Sequence, residues 1–402
     1  MGNYYILLEL AIILFSTKAF GILMRKLNLP QVAGALIAGL IIGPCVLNTV
    51  RQSDILSALA EIGVVMIMFS AGLESDLKSI KHNGKSALMV ALFGVIVPLG
   101  LGTLVAAIFG GFKNTEILKY IFIGIIMTAT SVTITVETLR EMGKLKTEAG
   151  TIILSAAIID DVIGIILLSI VLGVNDPNVQ PWLVIVKNIS FFIIAIGLGI
   201  GLHFLFKRLS KKYPHHRRVP IFALAVCLVY AFCGEHFFGV ANITGAYIAG
   251  IIFSGISVSD YIDQKIDINT YMIFAPVFFA NIGISADFNG FSSDILLFAV
   301  IFVLTAIIGK FTGCYTASRL LKNDRKTSLV TGFGMIARGE VALIVTQRGI
   351  EAGLITSPYL ICTMLLVIVS SLLAPIVLRR LYKLPNTPTD HTTQQPSTQR
   401  IL

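Results

Sequence analysis

Long apolar runs, separated by short polar clusters, recur along the whole chain. A helix crossing a hydrocarbon layer needs about 20 mostly apolar residues. Thirteen segments are predicted to cross, at approximately 4–24, 30–49, 54–73, 87–110, 117–139, 149–173, 182–206, 219–238, 242–257, 268–286, 293–318, 328–349 and 357–378. The runs are continuous rather than alternating, which excludes a barrel built from ~10-residue strands. No basic stretch precedes the first run and no small-residue cleavage site follows it. It is therefore predicted to remain as a helix and not to be removed as a leader.

Charge gives the runs a direction. Taking the connecting loops alternately, one set carries 22 Lys and Arg and the other only Arg51, Lys113 and Arg348. Cytoplasmic loops hold the excess, so the N-terminus is predicted outside and the C-terminus inside. The net charge of +9 then faces cytoplasm and anionic lipid and requires no nucleic-acid partner. The basic loop Lys207–Arg218, with Pro214, His215 and His216, reads as a topology anchor. Composition agrees with a bilayer: 55% of the 402 residues are hydrophobic and only 13% charged, against about 25% charged in soluble domains. The five Cys are scattered, without metal or redox spacing, and read as small buried hydrophobes.

The chain also matches itself. Val32-Ala-Gly34-Ala-Leu-Ile-Ala-Gly39 is echoed by Ile243-Thr-Gly245-Ala-Tyr-Ile-Ala-Gly250, and Gly72 and Asp76 by Gly283 and Asp287. Both matches share one offset, 211 residues (34 to 245, 72 to 283). The prediction is an all-α polytopic protein with two six-helix units, about 1–175 and 219–380. The single helix between them, about 182–206, turns the second unit over. Residues 381–402 read as a short polar, disordered tail. Inverted repeats of this kind carry their site at the midplane, on interrupted helices.

Two spans have the composition of interrupted helices. The fifth carries Thr128, Thr130, Ser131, Thr133 and Thr135 through its centre; the twelfth reads Gly332-Phe-Gly334-Met-Ile-Ala-Arg338-Gly339-Glu340. Between them in sequence, the sixth span places Asp160 and Asp161 side by side in an apolar run. Even one Asp at that depth costs about 2.5–3.5 kcal/mol. Neighbours on a helix point about 100° apart, so one acid is expected to face a water-filled site and the other a basic partner. Carboxylate oxygens suit protons and hard monovalent cations. Arg338 is predicted to pair with one Asp and to compensate the helix ends at the crossing, alongside Glu340. Lys310 lies too deep to snorkel and is expected to pair with Glu340 or Glu137. Glu61 reads as a passage-lining or locally paired residue, and Glu74, with Asp76, as an attractor of cations at the inner mouth.

Taken together, several of these motifs resemble the second monovalent cation:proton antiporter family, the Kef-type and bacterial sodium/proton antiporters. They are Asn28-Leu-Pro30-Gln-Val-Ala-Gly34 through Gly43-Pro44, Phe69-Ser-Ala-Gly72-Leu-Glu74-Ser-Asp76-Leu, Asp160-Asp161, Phe274-Ala-Pro276 through Gly283, and Arg338-Gly339-Glu340. The resemblance covers residues ~1–380. It implies a thirteen-helix inverted repeat, a homodimer, and a moving core in which two broken helices cross beside the acids. By it, Asp161 matches the shared cation and proton carrier, Thr130 and Ser131 lie at the matching break, and Asp160 matches the acid paired with a basic residue. That basic residue aligns with Arg338, which cannot lose its proton as lysine can; this points to exchange in which Asp161 alone carries charge. No fused nucleotide-binding regulatory domain and no cofactor are expected. A sodium-coupled solute symporter or a cation channel on a related fold are the alternatives. An intramembrane aspartyl protease fits less well, because its acids must come from different helices.

Overall fold

The structure is a computed structural model and describes residues 4–113, 116–175, 180–212, 218–286 and 293–383. Asp287, the Pro214–His216 stretch and the polar tail lie outside the described residues. Within them the chain is helical, with no strand. In order the helices are α1 (Tyr5–Lys26), α2 (Gln31–Ile42), α3 (Asp54–Glu74), α4 (Leu77–Gly110), α5 (Ile117–Thr128), α6 (Val132–Glu141), α7 (Glu148–Asn175) and α8 (Pro181–Lys212). They continue as α9 (Arg218–Phe238), α10 (Asn242–Ser254), α11 (Ser259–Asn269), α12 (Ala275–Ile284), α13 (Ser293–Leu320), α14 (Arg325–Gly334), α15 (Glu340–Glu351) and α16 (Pro358–Lys383). A single π turn, Thr270–Phe274, joins α11 to α12.

Among the described residues ten segments are long and apolar enough to cross a membrane, and α2 and α10 are shorter apolar helices. The local reasons are ordinary ones. Pro30 opens α2 and the Gly43–Pro44 pair closes it at Ile42, well short of the 49 expected from the apolar run. Ser53 caps α3 by accepting from the Leu56 N–H, and Asp76 caps α4 by accepting from Lys78 and Ser79. That cap starts α4 at Leu77, ahead of the expected 87. The tenth span likewise begins early, at Ser259.

Glycines at the matched positions bring backbones together. A Cβ on Gly72 of α3 would meet Tyr247 and Gly250 of α10, and one on Gly250 would meet Phe69 and Gly72. In the same way Gly39 of α2 packs on Ala280 of α12, and Gly283 on Leu36, Gly39 and Leu40. Such close approach is what small residues allow between helices in lipid. Of the five cysteines, Cys227, Cys314 and Cys362 are buried as expected, whereas Cys45 is exposed and Cys233 half-buried.

Candidate functional site

The fifth and twelfth apolar runs are each broken in the middle, as the hydroxyl-rich and glycine-rich stretches predict. Between α5 and α6 the helix stops for Ala129, Thr130 and Ser131. There the Thr128 hydroxyl donates to Ile125 O (2.8 Å) and Thr130 Oγ1 to Thr128 O (3.2 Å), side-chain bonds that compete with the helical ladder. Between α14 and α15 it stops for Met335–Gly339. The two gaps are tied together. Ser131 N–H donates to Ala337 O (2.8 Å), and Thr135 Oγ1 to Gly334 O (2.6 Å). A side chain at Gly339 would strike Ser131.

Cations meet the open end of α5. Arg338, fully buried, donates from Nη2 to Met127 O (2.6 Å) and from Nη1 to Thr130 Oγ1 (3.1 Å). Lys310, also fully buried, donates to Thr128 O (3.0 Å) and to Asp160 Oδ1 (2.7 Å). Both positive charges thus sit on the last carbonyls of a half-helix, where the macrodipole is negative. At the opposite pole, Glu340 occupies the first turn of α15, and its Oε2 has no hydrogen-bond partner. The Ser131 hydroxyl is likewise buried and unpartnered.

This arrangement corrects the expected pairing. Arg338 does not bind either Asp; the basic partner of Asp160 is Lys310 of α13. Nor does Lys310 pair with Glu340 or Glu137. Gly94 of α4 lies against this part of α13: a Cβ there would press on Cys314 Sγ and come into ordinary contact with the Lys310 Cε and Nζ. The premise that an arginine is the ion-pair partner of Asp160 therefore falls, and with it the argument for a single titrating group.

Asp161, one residue on, is left uncommitted: among the described residues no hydrogen bond or ion pair engages its carboxylate. It is half-buried and lines a cavity of about 60 Å³ with Thr128, Ala129, Asp160, Gly164, Val341 and Val345. Residues from both broken spans and from α7 therefore close on one small space, sized for a few waters.

The supporting acids gather elsewhere. Arg140, at the end of α6, binds Glu74 (2.7 Å), Asp263 (3.2 Å) and Asp267 (3.2 Å), and donates to Ser70 Oγ (2.6 Å). Ser70 in turn donates to Asp263. Glu137 lies beside this cluster with a buried, unpartnered Oε2. Both border a cavity of about 850 Å³ whose other walls include Leu14, Val32 and Phe279. Glu61 belongs to neither group and accepts from Asn242 (3.0 Å), the neighbour of Ala241 in the wall of the Asp161 cavity. Sequence reasoning missed Ser70, Arg140, Asp263 and Asp267 as a cluster. The available signal was Arg140 sitting within one turn of Glu137 and Glu141.

Comparison with known proteins fits this geometry. The profile of the family described as sodium/hydrogen exchanger, transmembrane, matches residues 11–384. The chain is 37% identical over 375 residues to the Na(+)/H(+)-K(+) antiporter GerN of Bacillus cereus, covering 92% of this chain and 95% of that one. It is 33% identical over 374 residues to a Na(+)/H(+) antiporter of Enterococcus hirae, covering 92% and 96%. Among solved structures it is similar in fold to the sodium proton antiporter MjNhaP1 from Methanocaldococcus jannaschii. The TM-score is 0.74 at 17% identity, over 94% of this chain and 96% of that one.

Proposed function

The chain belongs to the sodium/hydrogen exchanger transmembrane family, and from that premise we propose that it exchanges a monovalent cation, sodium or potassium, for protons by alternating access. Asp161 binds the cation and the proton by turns. The observation that carries the reading is the contrast between adjacent acids: Asp160 is neutralised by Lys310, while Asp161 faces its small cavity uncommitted. A dehydrated cation there would find the Asp161 carboxylate, with the Thr130 and Ser131 hydroxyls at the nearby break, as oxygen ligands. Arg338 and Lys310 hold the end of α5 in place and balance its carbonyls without needing the cation.

Lysine can release its proton where arginine cannot. The Asp160–Lys310 pair thus adds a second titratable site, and the exchange is expected to move net charge. Thirteen crossings follow if α2, α10 and the α14–α15 pair each span with the ten long segments. An inverted repeat of α1–α7 and α9–α16 about α8 is supported by the glycine contacts. Gly39 on Gly283 and Gly250 on Gly72 are the same contact seen from the two halves. The basic-loop tally supports an external N-terminus and a cytoplasmic C-terminus, and the Arg140 cluster then lies at the inner mouth. The homodimer rests on the family resemblance.

The test is a dye-based proton flux assay in proteoliposomes with each alkali cation added in turn. Saturable, cation-driven proton release is expected. Linear cation flux without proton movement would identify a channel instead.

A further inference from the structure

We infer that Ser370 and Ser371 of α16 are positioning residues for the exchange, the second repeat's counterpart of Asp160–Asp161, acting on the crossing through the Arg338 peptide. The inference rests on the exchange and repeat readings above.

The correspondence is one of place along the helix; the 211-residue offset itself sets Asp160 on Ser371 and Asp161 on Leu372. Asp160 lies twelve residues after Glu148, the start of α7, and Ser370 lies twelve after Pro358, the start of α16. In each half an adjacent polar pair thus stands mid-way along the apolar helix that follows the broken span. The serines face backbone. Ser370 Oγ accepts from the Arg338 N–H (3.0 Å), and Ser371 Oγ donates to Arg338 O (2.7 Å). All three residues are fully buried.

The peptide groups on both sides of one Cα are therefore held by adjacent hydroxyls of a single helix. Arg338 lies in Met335–Gly339, outside any helical ladder, where unpaired backbone groups in a dry interior are costly. Satisfying them is one consequence. The other is geometric: with the Arg338 backbone pinned, its guanidinium reaches Met127 O and Thr130 Oγ1 from one direction. Thr130 Oγ1 is thereby oriented by a residue that the serines orient. In the first repeat the polar pair carries charge and meets the cation and Lys310; in the second it is neutral and sets the frame.

The experiment measures cation-driven proton flux in proteoliposomes for the full chain, with Thr, Val and Ala at 370 and 371, singly and together. Thr and Val have the same shape and differ in the hydroxyl. The half-saturating cation concentration and the maximal rate are read per folded molecule. Cation-induced shift of the thermal midpoint gives an independent affinity, usable even for poorly active variants. Loss of one such hydrogen bond is expected to raise the half-saturating concentration about tenfold, with a smaller fall in maximal rate. The Thr variants should stay near the unaltered protein and the Val variants should not. Equal behaviour of Thr and Val, or Ala variants with unchanged half-saturation, overturns the inference. Where the unaltered protein exchanges and Asp161→Asn does not, such an outcome for the serine variants overturns this inference and leaves the exchange reading standing. Absence of exchange in the unaltered protein overturns the exchange reading and this inference with it.

Discussion

Two clusters of charge stand apart in this molecule, and they are built oppositely. At the crossing, each buried cation has its own partners: Lys310 holds Asp160 and Thr128 O, and Arg338 holds Met127 O and Thr130. At the end of α6 a single guanidinium, 12% exposed, is shared among Glu74, Asp263 and Asp267, the last 49% exposed. The dry cluster is paired, with Asp161 spare; the wetter one carries a surplus of acid. A surplus of one sign at a cavity mouth concentrates counter-ions, while a dry pair fixes geometry at a desolvation cost. On the exchange reading proposed above, recruitment and discrimination are separated in space.

Breaking the dry cluster should have the largest effects. Asp161→Ala should abolish cation-driven proton flux, with Asp161→Glu retaining some; full activity of the Ala variant would falsify the carrier role. Lys310→Ala leaves Asp160 buried and unpaired. It should lower stability by about 3–5 kcal/mol, read by thermal unfolding, and adding Asp160→Asn should restore much of that loss. Lys310→Arg keeps the pairing but removes a titratable group, so charge moved per cycle on solid-supported membranes should fall. Undiminished current would show that the second proton does not ride on Lys310, whereas no net current from the unaltered protein would return the exchange to Asp161 alone.

A smaller effect is expected from Gly94→Val, which strikes Cys314 one turn along α13 from Lys310 and so shifts the ammonium without touching its charge. Its exchange rate should drop while Asp161 chemistry stays intact, seen as an unchanged order of cation preference. Arg140→Gln sharpens the contrast from the wet side. Its half-saturating cation concentration should fall at low ionic strength and return to normal as salt screens the exposed acids. An effect indifferent to salt would mean that Arg140 acts by holding α6 to α3 and α11.

The smallest effect belongs to Asp76. The Ser79 hydroxyl, and then the Lys78 N–H, hold its carboxyl below the usual range. The stabilisation it lends α4 is present above the ordinary Asp value and is lost as pH falls through the lowered one. Amide hydrogen exchange at the start of α4 should speed up over that acid window, and Asp76→Ala should remove the pH dependence.

Much of the frame was legible from residue order. Apolar run length marked the spans, and Thr and Gly density marked both breaks to within a few residues. The paired acids announced themselves by the cost of their depth. Which base meets Asp160 was not legible. Lys310 needed some partner at its depth, but Arg338 was the nearer choice by motif. Only the packing of α13 on α4, with room left at Gly94, delivers the ammonium to Asp160. The Arg140 cluster was missed for a related reason: residues at helix ends look alike whether they are solvated or shared.

Sequence alone determined what can be decided along one chain. Burial length, helix interruption and the expense of a carboxylate in lipid are local and additive properties of consecutive residues. Tertiary structure decided which charges neutralise one another and which acid is left over. Ion pairing depends on the separation of side chains from distant helices to within about an ångström. That separation is set by glycine contacts and by how two broken helices abut, none of which any stretch of sequence specifies by itself.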